Sequence, residues 1–312
     1  MHLGAIEVTP NLVRFGGTKS KIDRKSVKIE ETDQITDMDS VFEKAVIFFR
    51  DNDLFPLSAL CFSMFGAVDM RNQIFLGSTH GSWDENVDIG SLVEKNLNLN
   101  RKKMSFFHDC EIKAFTEYRL IGEPKMKSEM ADIACVNLTK WGLGVGCIVN
   151  KNIWSGSFYP EAGHCPAPRY PGDIFRGTCR VHNSCYQGLT TGNSMLQRWQ
   201  VTSLENLDKE AWTLEAYYMA QFCVVITTTI APARIVITND ILHETIRKEF
   251  LEILCAYFYR EIGTFPKNRS LIDRNYITIS NVSDRYHHII SLLLLSNNIV
   301  NSAKISKLPI YK

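Results

Sequence analysis

The amino-acid sequence predicts an α/β protein. Short runs of β-branched and aromatic residues alternate with longer runs carrying an apolar stripe at helical spacing. The chain has 312 residues, 45% apolar and 22% charged, enough to bury a sizeable core or two.

Taken in order, strands are read at "GAIEV" (4–8) and "LVRFG" (12–16), and a helix at "DSVFEKAVIFFRDN" (39–52) with Asp39 as its N-cap. Strands follow at "LSALCFSMF" (57–65), "MSFFHD" (104–109), "DIACVNLT" (132–139) and "GVGCIVN" (144–150). The segment 151–193 has neither period and is rich in Gly, Pro, Cys and Arg. Loops that long are usually functional or need a staple. Trp212, Ala216, Met219, Cys223, Ile226 and Ile230 then recur at helical steps through 209–230. "ARIVIT" (233–238) is a strand, and Leu242, Ile246, Phe250, Ile253 and Tyr257 repeat the helical spacing over 240–262. No short-period repeat and no low-complexity tract interrupts this order.

A net charge of +1 gives no electrostatic case for nucleic acid or an anionic membrane. The start of the chain has no basic stretch followed by a long apolar run, so no signal peptide is expected. The most apolar segment, "FCVVITTTIAPARIVIT", is broken by Pro232 and Arg234, which leaves no membrane span. Nine cysteines, an odd number, fit reduced thiols in the cytoplasm better than a disulfide framework. Cys61, Cys135, Cys147, Cys223 and Cys255 lie in apolar runs and read as core packing. Cys110 and Cys165 need no role.

The long loop contains His164, Cys179, His182 and Cys185, spaced H-x14-C-x2-H-x2-C. Tetrahedral zinc accepts four such thiolate and imidazole ligands. From spacing alone, an unliganded polar loop remains the other reading. Asp109, taken alone, reads either as a catalytic carboxylate at a strand end or as a turn or helix cap.

The stretch "EAGHCPAPRYPGDIFRGTCRVHNSCYQGLTTG" (161–192) closely resembles the zinc loop of bacterial fructokinases of the ROK family (repressor, open reading frame, kinase). The likeness continues in order along nearly the whole chain. "FSMFGAVD" (62–69) resembles the family's S-F-G-P-V-D, "WTLEAYYMAQ" (212–221) its W-x-L-E-x-Y-Y-I-A-Q, "IAPARIVI" (230–237) the strand after that helix, and "GLGVGCIVN" (142–150) its second glycine-rich hairpin. The resemblance implies a two-lobed, actin-like, ribonuclease H-like sugar kinase fold with a zinc-stapled loop. The expected division is 1–110 and 111–312, with the C-terminal helix packing back on the first lobe. The implied ancestral reaction is ATP-dependent phosphorylation of fructose at the 6-hydroxyl, and the expected hexose partner is fructose or mannose. Dimers are common among relatives, which admits a homodimer.

By the same resemblance His164, Cys179, His182 and Cys185 hold structural zinc. Asp109, in "HDCEIKAF", matches the catalytic base of a T-D-V-N-A-A motif, and Glu111 replaces a sugar-contacting Asn. That puts a second acid beside the base. Glu161 and His164 match the sugar-binding E-x-G-H pair, Gln187 stands where the family has a sugar-binding Glu, and Gly66 and Asp69 keep the F-G-x-V-D turn. "STHGSW" (78–83) keeps only Trp83 of T-P-K-x-G-W.

The nucleotide side departs from the pattern. The phosphate hairpin D/E-x-G-G-T-K becomes "EVTPNL" (7–12), with Thr9 and Pro10 for both glycines and only Glu7 retained. Proline has no N–H to offer a phosphate. G-T-G-I-G becomes "KWGLG" (140–144), which keeps Gly142 and Gly144, with Lys140 as a possible anion contact. A Gly-Gly becomes "TNDI" (238–241), setting Asp240 against phosphate, and L-G-x-N-A-G becomes "VSDRYH" (282–287), setting Tyr286 and His287 where adenine packs. The expectation is therefore a fructokinase-like protein that keeps its zinc loop and part of its sugar site and uses MgATP poorly or not at all. The alternative is an active fructokinase or hexokinase with an atypical nucleotide site. A sugar-responsive repressor would need an added DNA-binding domain that these residues leave no room for.

Overall fold

A computed structural model describes all residues except 34, 36, 79–82, 123–131, 157–158, 266–271, 273–274, 283–285 and 305–312. The chain forms two compact units: Met1–Ile112 with Gly156–Tyr159 and Asp284–Lys312, and Lys113–Ser155 with Pro160–Ser283.

The first unit opens with β1 (Leu3–Val8), β2 (Leu12–Thr18) and β3 (Lys28–Asp33), followed by helix α1 (Met38–Asp51) and β4 (Ala59–Met64). A small meander of β5 (Ala67–Asp69), β6 (Ile74–Gly77) and β7 (Val87–Asp88) leads into α2 (Ile89–Leu97) and β8 (Met104–His108). Helix α3 (Asp109–Gly122) carries the chain into the second unit, which contains β9 (Ile133–Leu138), β10 (Leu143–Val149) and β11 (Asn152–Trp154). After the long loop come α4 (Tyr186–Thr190), α5 (Gly192–Trp199), α6 (Lys209–Thr229), β12 (Arg234–Ile237), α7 (Glu244–Ile262) and β13 (Ile277–Ile279). Helix α8 (Tyr286–Lys304) belongs to the first unit.

The two main sheets have one topology. The first runs β3-β2-β1-β4-β8 and the second β11-β10-β9-β12-β13. In each, three strands joined by hairpins pair antiparallel and two more add in parallel. This duplication leaves no mark in the sequence, because the strand order depends on backbone pairing and on which faces are apolar, not on particular residues.

Strand alternation sends Ile6 and Val8 to the core beneath α1, where Phe15, Phe42, Phe48, Phe49 and Phe62 pack, and sends Leu3 and Ala5 to the face covered by α8. Gly16 makes that cover possible, since a Cβ there would lie 2.2 Å from Ile289 Cγ2. In the second unit α6 and α7 pack together on one sheet face, and Ala114 of α3 joins Ile133, Cys135 and Ile148 on the other.

The structure moves three of the expected elements. The cap of α1 is Asp37, not Asp39: the Asp37 carboxylate accepts from Ser40 N at 2.7 Å. Asp109 begins a helix where the sequence reading ended a strand. In α7 the buried stripe is Phe250, Leu254, Phe258 and Ile262, while Ile253 and Tyr257 are half-buried and Leu242 precedes the helix. Among the described residues no helix is long and apolar enough to cross a membrane.

Candidate functional site

His164 ends a single 3-10 turn, Ala162–His164, that lies against the start of β10. A Cβ on Gly163 would sit 1.9 Å from Leu143 O, so only glycine lets the turn come this close. Cys185 is the N-cap of α4, its sulfur accepting from Gly188 N at 3.3 Å, and Cys179 Sγ accepts from His182 N at 3.3 Å. The Gly188 amide aimed at Cys185 works toward the thiolate there.

The four side chains predicted as ligands converge. His164 Nδ1 lies 3.6 Å from Cys179 Sγ, 3.8 Å from Cys185 Sγ and 3.4 Å from His182 Nδ1. A tetrahedral zinc with bonds of about 2.3 Å to sulfur and about 2.05 Å to nitrogen has S···N edges of about 3.6 Å and N···N edges of about 3.4 Å. The tetrad fits the ion. Burial lowers the His164 pKa and so favours the neutral ring that a metal requires. Burial also pushes the Cys185 thiol up to about 11, so a thiolate there needs a cation beside it. At the loop's far bend Asp173 accepts from Arg198 Nη2 at 3.2 Å and from Tyr218 OH at 2.5 Å. The loop is thus anchored to α5 and α6 as well.

Gln187 lies on α4, and its Oε1 accepts from Leu143 N at 3.3 Å and stands near Gly142. Gly163 and Gln187 therefore both meet the backbone of Leu143, one at its carbonyl and the other at its N–H. The amide oxygen is engaged, which leaves the NH2 to donate. Glu161 is exposed at the head of the 3-10 turn and its side chain caps nothing. Gly66 adopts φ 80°, where a Cβ would lie 2.8 Å from Gly77 O, and Asp69 accepts from Asn72 N at 2.9 Å. Of "STHGSW", residues 79–82 lie outside the described residues; Trp83 is buried.

The first hairpin closes on itself. Thr9 donates to Leu12 O through both its N–H (2.9 Å) and its hydroxyl (2.8 Å). The register places Glu7 opposite Arg14 on the face covered by α8. Both are buried, with Arg14 Nη1 at 2.8 Å from Glu7 Oε2, Arg14 Nε at 2.6 Å from Glu31 Oε1, and His288 Nδ1 of α8 at 3.0 Å from Glu7 Oε1. Burial alone would raise the Glu7 pKa, but His288 and Arg14 outweigh it and hold the carboxyl at about 2.

The second hairpin is also engaged internally. The N–H groups of Trp141 and Gly142 donate to the Thr139 hydroxyl at 3.1 and 2.9 Å. The first N–H groups of α5, on Gly192 and Asn193, donate to Thr139 O and Lys140 O. Lys140 is exposed, 5.1 Å from the Trp141 ring centroid, and Gly144 pairs with Asn137 inside the sheet. Asp240 faces Lys113 Nζ at 3.2 Å. Of "VSDRYH", residues 283–285 lie outside the described residues, and Arg24 lies over the Tyr286 ring.

Asp109 is the first residue of α3, with His108 before it and Glu111 behind. Glu111 Oε2 accepts from His108 N at 2.9 Å, and Cys110 N donates to His108 Nδ1 at 3.2 Å. This is a capping box with an imidazole as cap. Glu111, expected to act on substrate or on Asp109, is buried and holds the helix start. Asp109 Oδ1 lies 3.0 Å from His108 Nδ1 and accepts from Cys110 Sγ at 3.4 Å, and the His108 ring stacks on Tyr159 with centroids 3.6 Å apart.

The sequence pattern of the ROK family matches residues 12–265. The chain belongs to the ROK family. Among relatives of this ROK chain, the fructokinase of Streptococcus mutans is 26% identical over 262 residues, 78% of this chain and 86% of that protein. The ROK hexokinase of Thermus thermophilus superposes with a TM-score of 0.70 at 14% identity, over 96% of this chain and 99% of that one. A ROK glucokinase from Streptomyces griseus, solved with glucose and AMPPNP, superposes at 0.66 and 14% identity over 96% of this chain and all of that one, 100%. The α/β fold expected from the sequence is the fold of these sugar kinases. Sequence reasoning overlooked Arg14, His108, Asp173 and His288. The turn between Glu7 and Arg14 sets them opposite in a hairpin, a readable signal for Arg14; His288, 281 residues from Glu7, had none.

Proposed function

We propose that this ROK chain binds a hexose, fructose or mannose, and that its ATP-dependent phosphotransfer is lost or severely weakened. One observation carries the reading: Glu7, the acid kept from the first phosphate hairpin, is buried between Arg14 and His288. A buried carboxylate with one oxygen on Arg14 and the other on His288 is not open to a magnesium-bound phosphate. The second hairpin supports the same conclusion, since the Trp141 and Gly142 amides that would meet phosphate already donate to Thr139. Asp240 likewise has Lys113 as its counter-ion.

In this reading Glu161, His164 and Gln187 of the second unit bind hexose hydroxyls, and in the first unit Gly66 and Asp109 hold the positions that the resemblance assigns to the sugar turn and the base. Zinc held by His164, Cys179, His182 and Cys185 would supply fixed geometry, orienting His164 and the helix that carries Gln187. Lost preorganised donors cost roughly 10²–10³ in rate each, and several lost from one unit do not simply add.

Purified protein should show no melting shift with MgATP at millimolar concentration, because only a ligand of the folded state stabilises it. Fructose or mannose should raise the melting temperature and release heat in calorimetry. An upshift with MgATP, or fructose 6-phosphate formation abolished by Asp109→Asn, would establish the active kinase instead. No response to any hexose would remove the sugar half of the reading.

A further inference from the structure

Helix α6 buries an acid that no hydrogen bond holds. Glu215 is fully buried, and neither of its carboxyl oxygens has a hydrogen-bond partner among the described residues. An ionised carboxylate there would give up its hydration without a compensating bond, so the group keeps its proton and stays neutral. Arg198 of α5 is the one charged group that acts on Glu215 among the described residues; α4 and α7, which also pack on α6, present none to it. Arg198 is committed elsewhere. Its Nη2 donates to Asp173 of the long loop at 3.2 Å, while its buried Nε–H has no partner. The guanidinium also lies over the ring of Phe175, a loop residue, 4.7 Å from the centroid, and 5.4 Å from that of Tyr218. Asp173 accepts in addition from Tyr218 OH at 2.5 Å and stands 3.8 Å from Arg169 Nη1. One arginine therefore ties the loop's bend to α5, close to an acid that is kept out of the charge network.

We propose that Glu215 is a proton-operated latch for the long loop: protonated, it leaves Arg198 to Asp173, and it ionises when the loop's bend and α5 lift from α6, so that the bend opens more readily as pH rises. The chemical step is proton release alone. The Glu215 O–H bond breaks, the proton passes to water, and the freed carboxylate is hydrated. Burial raises the Glu215 pKa well above its ordinary 4.5 in the closed form, with Arg198 acting the other way. In the open form the exposed acid returns to its ordinary value. Between the two values the closed form binds the extra proton, so each pH unit there favours opening by about tenfold. Below about pH 4.5 both forms are protonated and pH no longer moves the latch. All of these groups lie in the second unit, and the latch requires neither hexose nor nucleotide.

The test is hydrogen exchange on the full chain from about pH 5.5 to 7.5, corrected for the intrinsic pH dependence of exchange. Opening constants for 169–176 and for α5 should rise at least about tenfold across this range in the wild type. They should stay flat in Glu215→Gln, which has no proton to release. A flat wild-type profile, or parallel profiles in the two proteins, overturns the latch. So does an equal rise in β9 and β10, which would place the proton release in global unfolding. If Glu215→Gln does not fold, the wild-type exchange profile is judged together with carbon NMR of protein labelled at glutamate. One glutamate carboxyl should then keep its protonated shift at about pH 7. A spectrum with every glutamate ionised at that pH overturns the latch, since Glu215 would be a carboxylate in the closed form.

Discussion

Taking Glu7 out of water costs a carboxylate several kcal/mol, and Arg14 and His288 offset that cost by holding it from two sides. Replacing Glu7 by Gln leaves the buried Arg14 guanidinium facing a neutral group and should destabilise the protein by about 3–5 kcal/mol at neutral pH. The shift of Glu7 from 4.5 to about 2 corresponds to about 3 kcal/mol. Its folded pKa is depressed, so this stability is complete above about pH 4.5 and is lost as pH falls toward 2. Urea unfolding of the wild type and Glu7→Gln should therefore differ at pH 7 and converge near pH 2.5; parallel curves would refute the linkage. At this scale the His164, Cys179, His182 and Cys185 cluster was legible because its residues stand at a spacing typical of metal ligands. His108 was not, because a histidine at a helix start has no signature until its distance to Asp109 is known.

Among the elements, the long loop has the least secondary structure and the most specific side chains. Its shape depends on the tetrad, on Asp173 and on Gly163 against β10. The protein should contain about one zinc per chain, and Cys179→Ala should bring this close to zero while lowering the melting temperature. Absence of metal from wild-type protein prepared without chelator would remove the staple. Gly163→Ala should also weaken metal retention, although it changes no ligand, because the 3-10 turn carrying His164 must back away from Leu143 O. Unaltered zinc affinity in that variant would show the turn to be unimportant. Helices α6 and α7 were readable from their apolar period, but in α7 the buried set advanced to Leu254 and Phe258. An apolar run on two adjoining faces permits either, and the packing partner α6 selects one.

Across the whole molecule, the same strand order appears twice, each sheet with its own core. The loop that carries the His/Cys tetrad belongs to the second unit. Chelation should therefore increase hydrogen exchange in 160–200 and in β10, with β1 and β2 unchanged. Equal loss of protection in both units would show that the loop's influence is global. The amino-acid sequence by itself determined the α/β class and the family, and it marked His164, Cys179, His182 and Cys185 as one cluster, because apolar period and ligand spacing are local properties of the chain. Only the tertiary structure decided that Glu7, Asp109 and Asp240 each lie against a basic side chain of the chain itself. For Glu7 and Asp240 those partners include His288 and Lys113, far away in sequence and brought near by packing; for Asp109 the neighbour's ring had to be turned onto it. Whether a carboxylate is available for chemistry depends on that distance, which no spacing along the chain encodes.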